Sequence, residues 1–192
     1  GVMTVRFTYR TGRVRIIGVK DCVPVAACRG ASTAVVLERI RLLYPSFTAA
    51  AHVLETSLQN VGAIFHPPVA LLNAAAIERG TKFFFYQDMT PSVAEMLRAL
   101  DAERLKLGRA YGVELAPIDE WIRAAYPGTR GDSLDELMRN NPAYHEIPAP
   151  DSLRSRLLTE DIPTGLVPFV ELGAAAGLRL PLMESIVHLG CS

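Results

Sequence analysis

The segment TPSVAEMLRALDAERLKLGRAYG, residues 90–112, predicts one long amphipathic helix and so indicates a helical fold. Thr90 is a favoured N-cap, Pro91 suits the first helical turn, and Gly112 is a typical residue at which a helix ends. The apolar residues of one face recur at helical spacing: Val93, Met96, Leu97, Leu100, Leu107 and Tyr111. The charged residues expected on the solvent face are Glu95, Arg98, Asp101, Glu103, Arg104 and Lys106. At about 1.5 Å per residue the helix would span roughly 30 Å, enough for the spine of a helical domain.

Further helices are predicted on both sides of this spine. The Pro67-Pro68 pair predicts the start of a helix that ends at Gly80. Ser133 and Glu136 have the spacing of a capping box, which predicts a short helix after Ser133. That helix is expected over residues 134–139. Further helices are predicted over residues 117–125, 164–176 and 181–189, and an ordered loop is predicted over residues 141–155. These patterns predict a mainly α fold.

The chain before residue 50 has a different pattern. Alternating apolar and polar residues predict strands over residues 2–9, 14–19 and 23–27, with Thr11-Gly12 as a turn. Residues 32–44 predict a helix that ends before Pro45. A hairpin alone is marginally stable in water, and the chain begins with Gly1 rather than methionine. We therefore expect it to be part of a longer protein.

Composition argues against several classes of function. The 192 residues carry 20 Lys and Arg against 20 Asp and Glu, so the formal net charge is zero. Binding to nucleic acid or to a membrane surface is favoured by an excess of basic residues, which this chain lacks. No apolar run reaches the roughly 18 residues of a membrane span, and no His or Cys spacing matches a metal motif. The three cysteines, Cys22, Cys28 and Cys191, predict reduced thiols in a cytoplasmic protein.

His66 is the first candidate catalytic residue, in the segment NVGAIFHPP (60–68). A residue before proline favours extended backbone, which would place His66 at the N-terminus of the following helix. There the helix dipole disfavours imidazolium, so we expect a histidine that is neutral near pH 7 and able to accept a proton. The alternative is a buried histidine whose ring is bonded to a backbone group.

Asp161 also precedes a helix opened by proline, in the segment TEDIP (159–163). If the two helix starts face each other, the carboxylate would orient the imidazole and stabilise its protonated form; the alternative is a plain N-cap. Arg156 would then clamp a substrate carboxylate, or would otherwise be a surface arginine. Asn73 lies almost two turns from His66 and so on a similar face, where it would reach the site or a helix–helix contact.

Other features have simpler interpretations. The aromatic run Phe83-Phe84-Phe85-Tyr86 is expected in the core, since it lacks the interleaved basic residues of a platform for nucleic-acid bases. The glycines of the segment 173–177 do not follow a predicted strand, so they do not form a phosphate-binding loop. Glu160 is expected to be a solvated carboxylate.

Three segments together resemble the helical domain of the opine dehydrogenases, a family that includes the octopine and nopaline dehydrogenases. They are LETSLQNVGAIFHPPVALLNAAAIE (54–78), FFYQDMTPSVAEMLRALDAERLKLGRAYG (84–112) and RLLTEDIPTGLVPFVELGAAAG (156–177). Their order and spacing are similar to those of the family. The family's histidine and aspartate match His66 and Asp161, which are 95 positions apart (161 − 66).

This resemblance implies an NAD(P)-dependent oxidoreductase in which a Rossmann domain precedes an all-α domain of the 6-phosphogluconate-dehydrogenase C-terminal type. Residues 1–50 would be the incomplete end of the first domain and residues 51–192 the second. The family's reaction condenses an amino acid with a 2-oxo acid such as pyruvate and reduces the imine with NADH or NADPH. Because the glycine turn of a Rossmann domain is missing from the sequence, we expect this chain alone not to hold the cofactor.

The resemblance also implies roles for individual residues. His66 is the acid/base, Asp161 is its partner, and Arg156 binds a carboxylate. Asn60 and Asn73 are implied in the substrate cleft. The positions that depart from the family's pattern, and so bear on amino-acid specificity, are Gln59, Gln87 to Met89 and Leu157.

Two hypotheses of function follow. In the first, the chain is the substrate-binding and catalytic half of an opine dehydrogenase, expected to be a homodimer, whose dinucleotide-binding half lies on the same gene or on a separate chain. In the second, it is a non-enzymatic helical module for dimerisation or ligand binding, since a fold does not determine a function. A strand–GxGxxG–helix pattern encoded directly upstream would favour the first hypothesis, and a natural start near Met3 would favour the second.

Overall fold

The computed structural model describes residues 3–8, 13–29 and 32–191, and helices are its dominant elements. The helices are α1 Thr33–Ile40, α2 Val53–Leu58, α3 Val61–Leu72, α4 Ala74–Glu78, α5 Pro91–Ala110, α6 Ile118–Ala125, α7 Leu134–Arg139, α8 Arg156–Thr159, α9 Val167–Ala175 and α10 Pro181–Gly190. The strands are β1 Met3–Thr8, β2 Arg13–Val19, β3 Val23–Val25 and β4 Phe47–Ala49. The predicted mainly α fold class is therefore confirmed.

The four strands form two small sheets. β1 and β2 pair antiparallel, and the predicted Thr11-Gly12 turn lies outside the described residues. β3 pairs in parallel with β4, a strand that the sequence pattern did not predict, and α1 lies between them in the chain. A parallel strand pair needs such a crossover connection, so β3, α1 and β4 form a minimal βαβ unit.

α5 is the predicted spine of the helical part. It begins as expected, because the Thr90 hydroxyl accepts a hydrogen bond from the Val93 amide at 3.4 Å. α3, α7, α9 and α10 pack against α5, and Leu97, Leu100 and Leu107 are fully buried there. Among the described residues, no helix is long and apolar enough to cross a membrane.

Two charged residues of α5 are buried, although the sequence pattern predicts that they face solvent. Arg104 and Asp101 are 0% and 3% exposed, and Nε of the guanidinium donates to the carboxylate at 2.7 Å. The other guanidinium nitrogens donate to the carbonyls of Leu58 at 3.1 Å and Ala116 at 2.6 Å. Asp101 also accepts from the Ile118 amide at 2.8 Å. These bonds satisfy both charges inside the core and join α5 to the end of α2 and the start of α6.

α3 begins at Val61 and runs through Pro67 and Pro68 to Leu72, so the prediction that the prolines start a helix is wrong. Proline removes a backbone N–H group and disfavours helical backbone before it, which costs about 3 kcal/mol inside a helix. Burial outweighs this local cost, because eight of the 12 residues of α3 are buried in the core. His66 therefore lies in the middle of a helix.

The chain between α8 and α9 forms a π-helix over Ile162–Leu166, where an α-helix was predicted from about residue 164. The π-helix packs on α3, and Gly165 lies at the contact. A Cβ atom on Gly165 would overlap the Cβ atom of Ala63. Glycine at this position therefore allows the backbones of the two helices to approach closely, and Asp161 lies just before the contact.

Candidate active site

A cavity of about 460 Å³ lies beside α3, within the size range of small-molecule sites. Its apolar lining includes Trp121, Ile122 and Met138. Its polar and charged lining consists of Lys20, Cys22, Thr56, Gln59, Asn60, His66, Tyr86, Tyr144, Arg156 and Asp161. Four of the five residues predicted for the site therefore line one cavity, and Asn73 is the exception.

Asp161 and His66 form a hydrogen-bonded pair on the cavity wall. Nδ1 of the imidazole lies 2.7 Å from Oδ2 of the carboxylate. A carboxylate accepts hydrogen bonds, so it fixes the ring hydrogen on Nδ1 and leaves Nε2 as the acceptor of the neutral ring. The side chains of His66 and Asp161 are 19% and 12% exposed, so the pair is largely shielded from water but reachable from the cavity.

Both residues reach this arrangement from positions other than those predicted. His66 lies inside α3, so the expected influence of a helix N-terminus on its charge is wrong. The Asp161 carboxylate makes no capping hydrogen bond to the helix that follows, so the alternative of a plain N-cap is wrong as well. The ring of His66 bonds to two side chains, which also excludes a ring satisfied by the backbone.

Tyr86 is a site residue that the sequence analysis missed. Its hydroxyl oxygen lies 2.9 Å from Nε2 of His66. Phe85 is buried, as predicted for the aromatic run, but Phe84 is 41% exposed and Tyr86 lines the cavity. Burial raises the pKa of the Tyr86 hydroxyl well above its usual range, so the hydroxyl is neutral at neutral pH. The signal in the sequence was the phenolic hydroxyl, the one polar side-chain group in this run of four residues.

Arg156 and Glu160 form an ion pair at the cavity, with Nε of Arg156 3.1 Å from Oε2 of Glu160. The Arg156 side chain is 65% exposed and also lines the cavity, so its guanidinium is available to an anion that enters there. Glu160 is exposed, as expected of a solvated carboxylate. A substrate carboxylate that bound Arg156 would compete with Glu160 for the guanidinium.

The two predicted asparagines have different positions. Asn60 lines the cavity at the start of α3. Asn73 lies at the other end of α3, and its side-chain amide donates to the carbonyl of Val69 at 2.9 Å. Seven residues of helix separate Asn73 from His66 by about 10 Å. The structure therefore does not bring Asn73 into the site.

Lys20 is a second site residue that the sequence analysis missed. It follows β2 and lines the cavity, where its ammonium group lies 4.8 Å from the centroid of the Trp121 ring. Burial lowers the pKa of Lys20. The sequence offers no signal for this contact, because the two residues are 101 positions apart (121 − 20) in segments with different patterns.

The described residues do not fit a whole dinucleotide cofactor. A pyrophosphate is held by a glycine-rich turn between a strand and the N-terminus of a helix. The described glycines with positive φ are Gly80, Gly112, Gly128, Gly131 and Gly177, and each lies in the helical part with no strand directly before it. The described residues also contain no group of His, Cys, Asp and Glu that could hold a metal ion.

We expect Gly165→Ala to weaken both the fold and the site. The added methyl group would overlap Ala63 and push the π-helix away from α3, which would separate Asp161 from His66. Overpacking of this kind costs about 1–3 kcal/mol of unfolding free energy. Chemical denaturation would measure this loss, and an activity assay would measure the effect on the pair.

The double variant Ala63→Gly/Gly165→Ala is the matched control, because it exchanges the two residues and restores the room for the methyl group. It should recover most of the stability, apart from about 1 kcal/mol for glycine inside α3. Equal stability of Gly165→Ala and the wild-type protein would contradict the close contact.

Comparisons with known proteins support one family. The family model for the alpha-helical domain of NAD/NADP octopine/nopaline dehydrogenases matches residues 49–192. An opine dehydrogenase of Arthrobacter sp. (strain 1C) is 37% identical over 181 residues, which are 94% of this chain and 50% of the relative. The vitopine synthase of Allorhizobium ampelinum is 30% identical over 91% of this chain and 49% of its own length. The chain thus spans about half the length of these curated relatives.

Solved structures of an octopine dehydrogenase have a similar fold. The structure with NADH and L-arginine superimposes with a TM-score of 0.77 at 23% sequence identity, and the match covers 98% of this chain and 53% of that one. The structure with NADH and agmatine has a TM-score of 0.75, also at 23% identity, over 97% of this chain and 53% of that one. The mainly α architecture is therefore similar to the helical part of those proteins.

Proposed function

Because this chain belongs to the family of NAD- and NADP-dependent octopine/nopaline dehydrogenases, we propose that it is the substrate-binding and catalytic half of an opine dehydrogenase. In the proposed reaction an amino acid and a 2-oxo acid such as pyruvate lose water to form an imine. A hydride from NADH or NADPH and one proton then reduce the imine to a secondary amine. The observation that carries this proposal is the pair of Asp161 and His66, 2.7 Å apart, in a cavity that Arg156 also lines.

The pair of Asp161 and His66 supplies proton transfer. Condensation requires that the amine lose a proton and that the departing hydroxyl gain one, and histidine exchanges protons readily near neutral pH. Asp161 holds the ring by its Nδ1–H group and stabilises the imidazolium that forms when Nε2 takes a proton. The carboxylate thus orients the ring, and the Nε2 side carries the chemistry.

The charges around the cavity favour an anionic ligand. Among the described residues of the lining, Lys20 and Arg156 carry positive charge and Asp161, which is paired with His66, carries negative charge, so the three sum to +1 (1 + 1 − 1). Arg156 also pairs with the exposed Glu160, which a carboxylate ligand could replace. A cleft of net positive charge raises the local concentration of anions. The proposed substrates each carry a carboxylate and the product carries two, so the charge of the cavity matches the proposed chemistry.

We expect Arg156→Leu to raise the KM of one of the two substrates by about 10- to 100-fold, because a charge-assisted hydrogen bond to a carboxylate contributes about 1.5–3 kcal/mol. Arg156→Lys should recover only part of this loss, since an ammonium cannot form the bidentate contact. Steady-state kinetics with each substrate varied in turn would measure both values.

Arg154→Leu is the control for the Arg156 variants, since Arg154 is exposed and is not part of the cavity lining. Its KM values should equal those of the wild-type enzyme. If Arg156→Leu also left both KM values unchanged, Arg156 would not be the carboxylate binder.

We further propose that residues 1–50 are the end of the dinucleotide-binding domain and that residues 51–192 are the helical domain. The unit of β3, α1 and β4 is of the parallel type from which dinucleotide-binding domains are built. The pyrophosphate of the cofactor would then bind outside the residues described here. A homodimer and a cytoplasmic location remain predictions from the sequence.

Two measurements test this function. The complete enzyme, with its dinucleotide-binding half, should consume NADH or NADPH only when a 2-oxo acid and an amino acid are both present. No consumption across a panel of amino acids with pyruvate and other 2-oxo acids would refute the proposed reaction. Calorimetric titration of the present chain with NADH and with NADPH tests which half of the enzyme binds the cofactor. Micromolar binding would mean that this chain holds the cofactor itself.

A further inference from the structure

Both ring nitrogens of His66 already have partners. Nδ1 contacts the Asp161 carboxylate at 2.7 Å, and Nε2 contacts the Tyr86 hydroxyl at 2.9 Å. Because Nδ1 carries the ring hydrogen, Nε2 of the neutral ring accepts, and the Tyr86 hydroxyl donates to it. The nitrogen that would exchange protons with a substrate is therefore covered by a phenol that itself lines the cavity.

We propose that Tyr86 is a catalytic residue, whose hydroxyl contacts the substrate and passes protons between it and Nε2 of His66. This inference rests on the proposed opine dehydrogenase function and adds the residue that touches the reacting oxygen. His66 then exchanges protons with Tyr86 rather than with the substrate directly, and Asp161 orients the ring of His66.

Aromatic contacts hold the Tyr86 ring in place on several sides. The ring stacks on Tyr144 with centroids 4.3 Å apart and an angle of 14° between the planes. It also contacts Phe65 at 5.2 Å and Phe85, edge to face, at 5.1 Å. A ring held this way cannot leave Nε2 without losing these contacts, which favours a fixed relay over a side chain that swings aside for the substrate.

The relay moves one proton in each direction, so its protons balance. The substrate enters as an ammonium ion, and one of its protons passes to the Tyr86 oxygen while the phenol gives its own proton to Nε2, which leaves a free amine and an imidazolium. During condensation the carbinolamine must lose its hydroxyl: the C–O bond breaks, the nitrogen lone pair forms the C=N bond, and water leaves. The Tyr86 hydroxyl gives its proton to the departing oxygen while its own oxygen takes the proton from Nε2 of the imidazolium. Tyr86 is unchanged at the end, and His66 returns to the neutral ring held by Asp161.

The surroundings of Tyr86 keep the phenol neutral between transfers. Burial is the largest cause of its raised pKa, and the hydroxyl of Tyr126 and the carboxylate of Asp161 raise it further. The guanidinium of Arg156 acts in the opposite direction. Two further titratable groups face Tyr86: His66, in direct contact with the hydroxyl, and Tyr144, stacked on the ring. A neutral phenol can give and take a proton in one concerted step without a free phenolate.

The test is Tyr86→Phe in the complete enzyme, which removes the hydroxyl and keeps the ring. We expect kcat to fall by about 10- to 100-fold with KM values within a few-fold of wild type, because general acid catalysis of this kind contributes at least that much. Tyr111→Phe is the matched control: the Tyr111 hydroxyl donates to the carbonyl of Leu172, Tyr111 is not part of the cavity lining, and its variant should keep the wild-type kcat. The double variant His66→Ala/Tyr86→Phe should be no slower than His66→Ala, since members of one relay are not additive.

A second measurement separates a relay from a purely structural contact. Fluorinated tyrosine at position 86 keeps the ring and the hydroxyl but makes the phenol a stronger acid. A relay predicts that the pH profile of kcat shifts, whereas a structural hydroxyl predicts an unchanged profile, and this variant remains informative if Tyr86→Phe fails to fold. An active wild-type enzyme together with a Tyr86→Phe kcat within two-fold of it, or an unshifted profile, would overturn the relay alone. An inactive wild-type enzyme would instead refute the proposed function.

Discussion

Replacing His66 by alanine in the complete enzyme should lower kcat for reductive condensation by about 100- to 10,000-fold, the range of a lost general acid/base. The ring is the link between Asp161 and Tyr86, at 2.7 Å and 2.9 Å, so its removal leaves neither neighbour with a partner for the proton. Asp161→Asn should also lower kcat strongly, because an amide can hold the ring in the wrong tautomer. Steady-state rates with saturating substrates would measure both losses.

His188→Ala is the matched control, since His188 is exposed on α10 and is not part of the cavity lining. That variant should keep the wild-type kcat, and far-UV circular dichroism should be the same for wild type, His66→Ala and His188→Ala. Near-normal turnover by His66→Ala, with the fold intact, would remove His66 from the mechanism.

The second large effect is expected on stability, from Arg104→Met in α5. The variant keeps much of the side-chain volume but leaves the Asp101 carboxylate buried with the Ile118 amide as its one donor among the described residues. The carbonyls of Leu58 and Ala116 lose the guanidinium donors. Breaking a buried ion pair by removing one partner costs about 3–5 kcal/mol. Chemical denaturation, with the midpoint and slope fitted together, would measure this loss of unfolding free energy.

Arg98→Met on the same helix is the control for Arg104→Met. Arg98 contacts Asp119 at 2.7 Å, the same distance as the buried pair, but its side chain is 37% exposed. Exposed pairs contribute at most about 1 kcal/mol, so the two variants should differ by several-fold in their effect. Asp101→Asn/Arg104→Met should recover part of the loss, because it removes the buried charge. Equal destabilisation by Arg98→Met and Arg104→Met would contradict the role of burial.

Local signals in the sequence predicted the elements that depend on local chemistry. Thr90 and Pro91 begin α5 as expected, and Ser133 accepts from the Glu136 amide at the start of α7, as in a capping box. The rule for proline failed at Pro67 and Pro68, because the burial of α3 in the core overrides a local backbone preference. That burial depends on partners from elsewhere in the chain, which a local rule does not contain.

The residues of the candidate site were likewise predicted only in part from the sequence. The positions of His66 and Asp161 near prolines made them candidates, and the resemblance of whole segments implied their roles. Periodicity contained no sign that residues 95 positions apart would meet. Tyr86 was missed because an aromatic run is typical of a core, and its hydroxyl has meaning only beside His66. Arg104 was misplaced for a similar reason, since two of its partners are backbone carbonyls 46 and 12 positions away.

The contact between Lys20 and Trp121 places the cavity at the interface between the strand-rich segment and the helical part of the chain. Lys20, Cys22 and Val23 belong to the strand-rich segment, whereas Trp121 lies on α6, and all four line the same space. A ligand that touches both walls therefore adds its binding energy to the junction, by about 2.7 kcal/mol at a concentration of one hundred times its Kd. By thermodynamic reciprocity, whatever holds the strand-rich segment in place strengthens binding in the cavity by the same factor. Ligand binding in the cavity and association of the strand-rich segment with α6 are therefore thermodynamically coupled, and each strengthens the other.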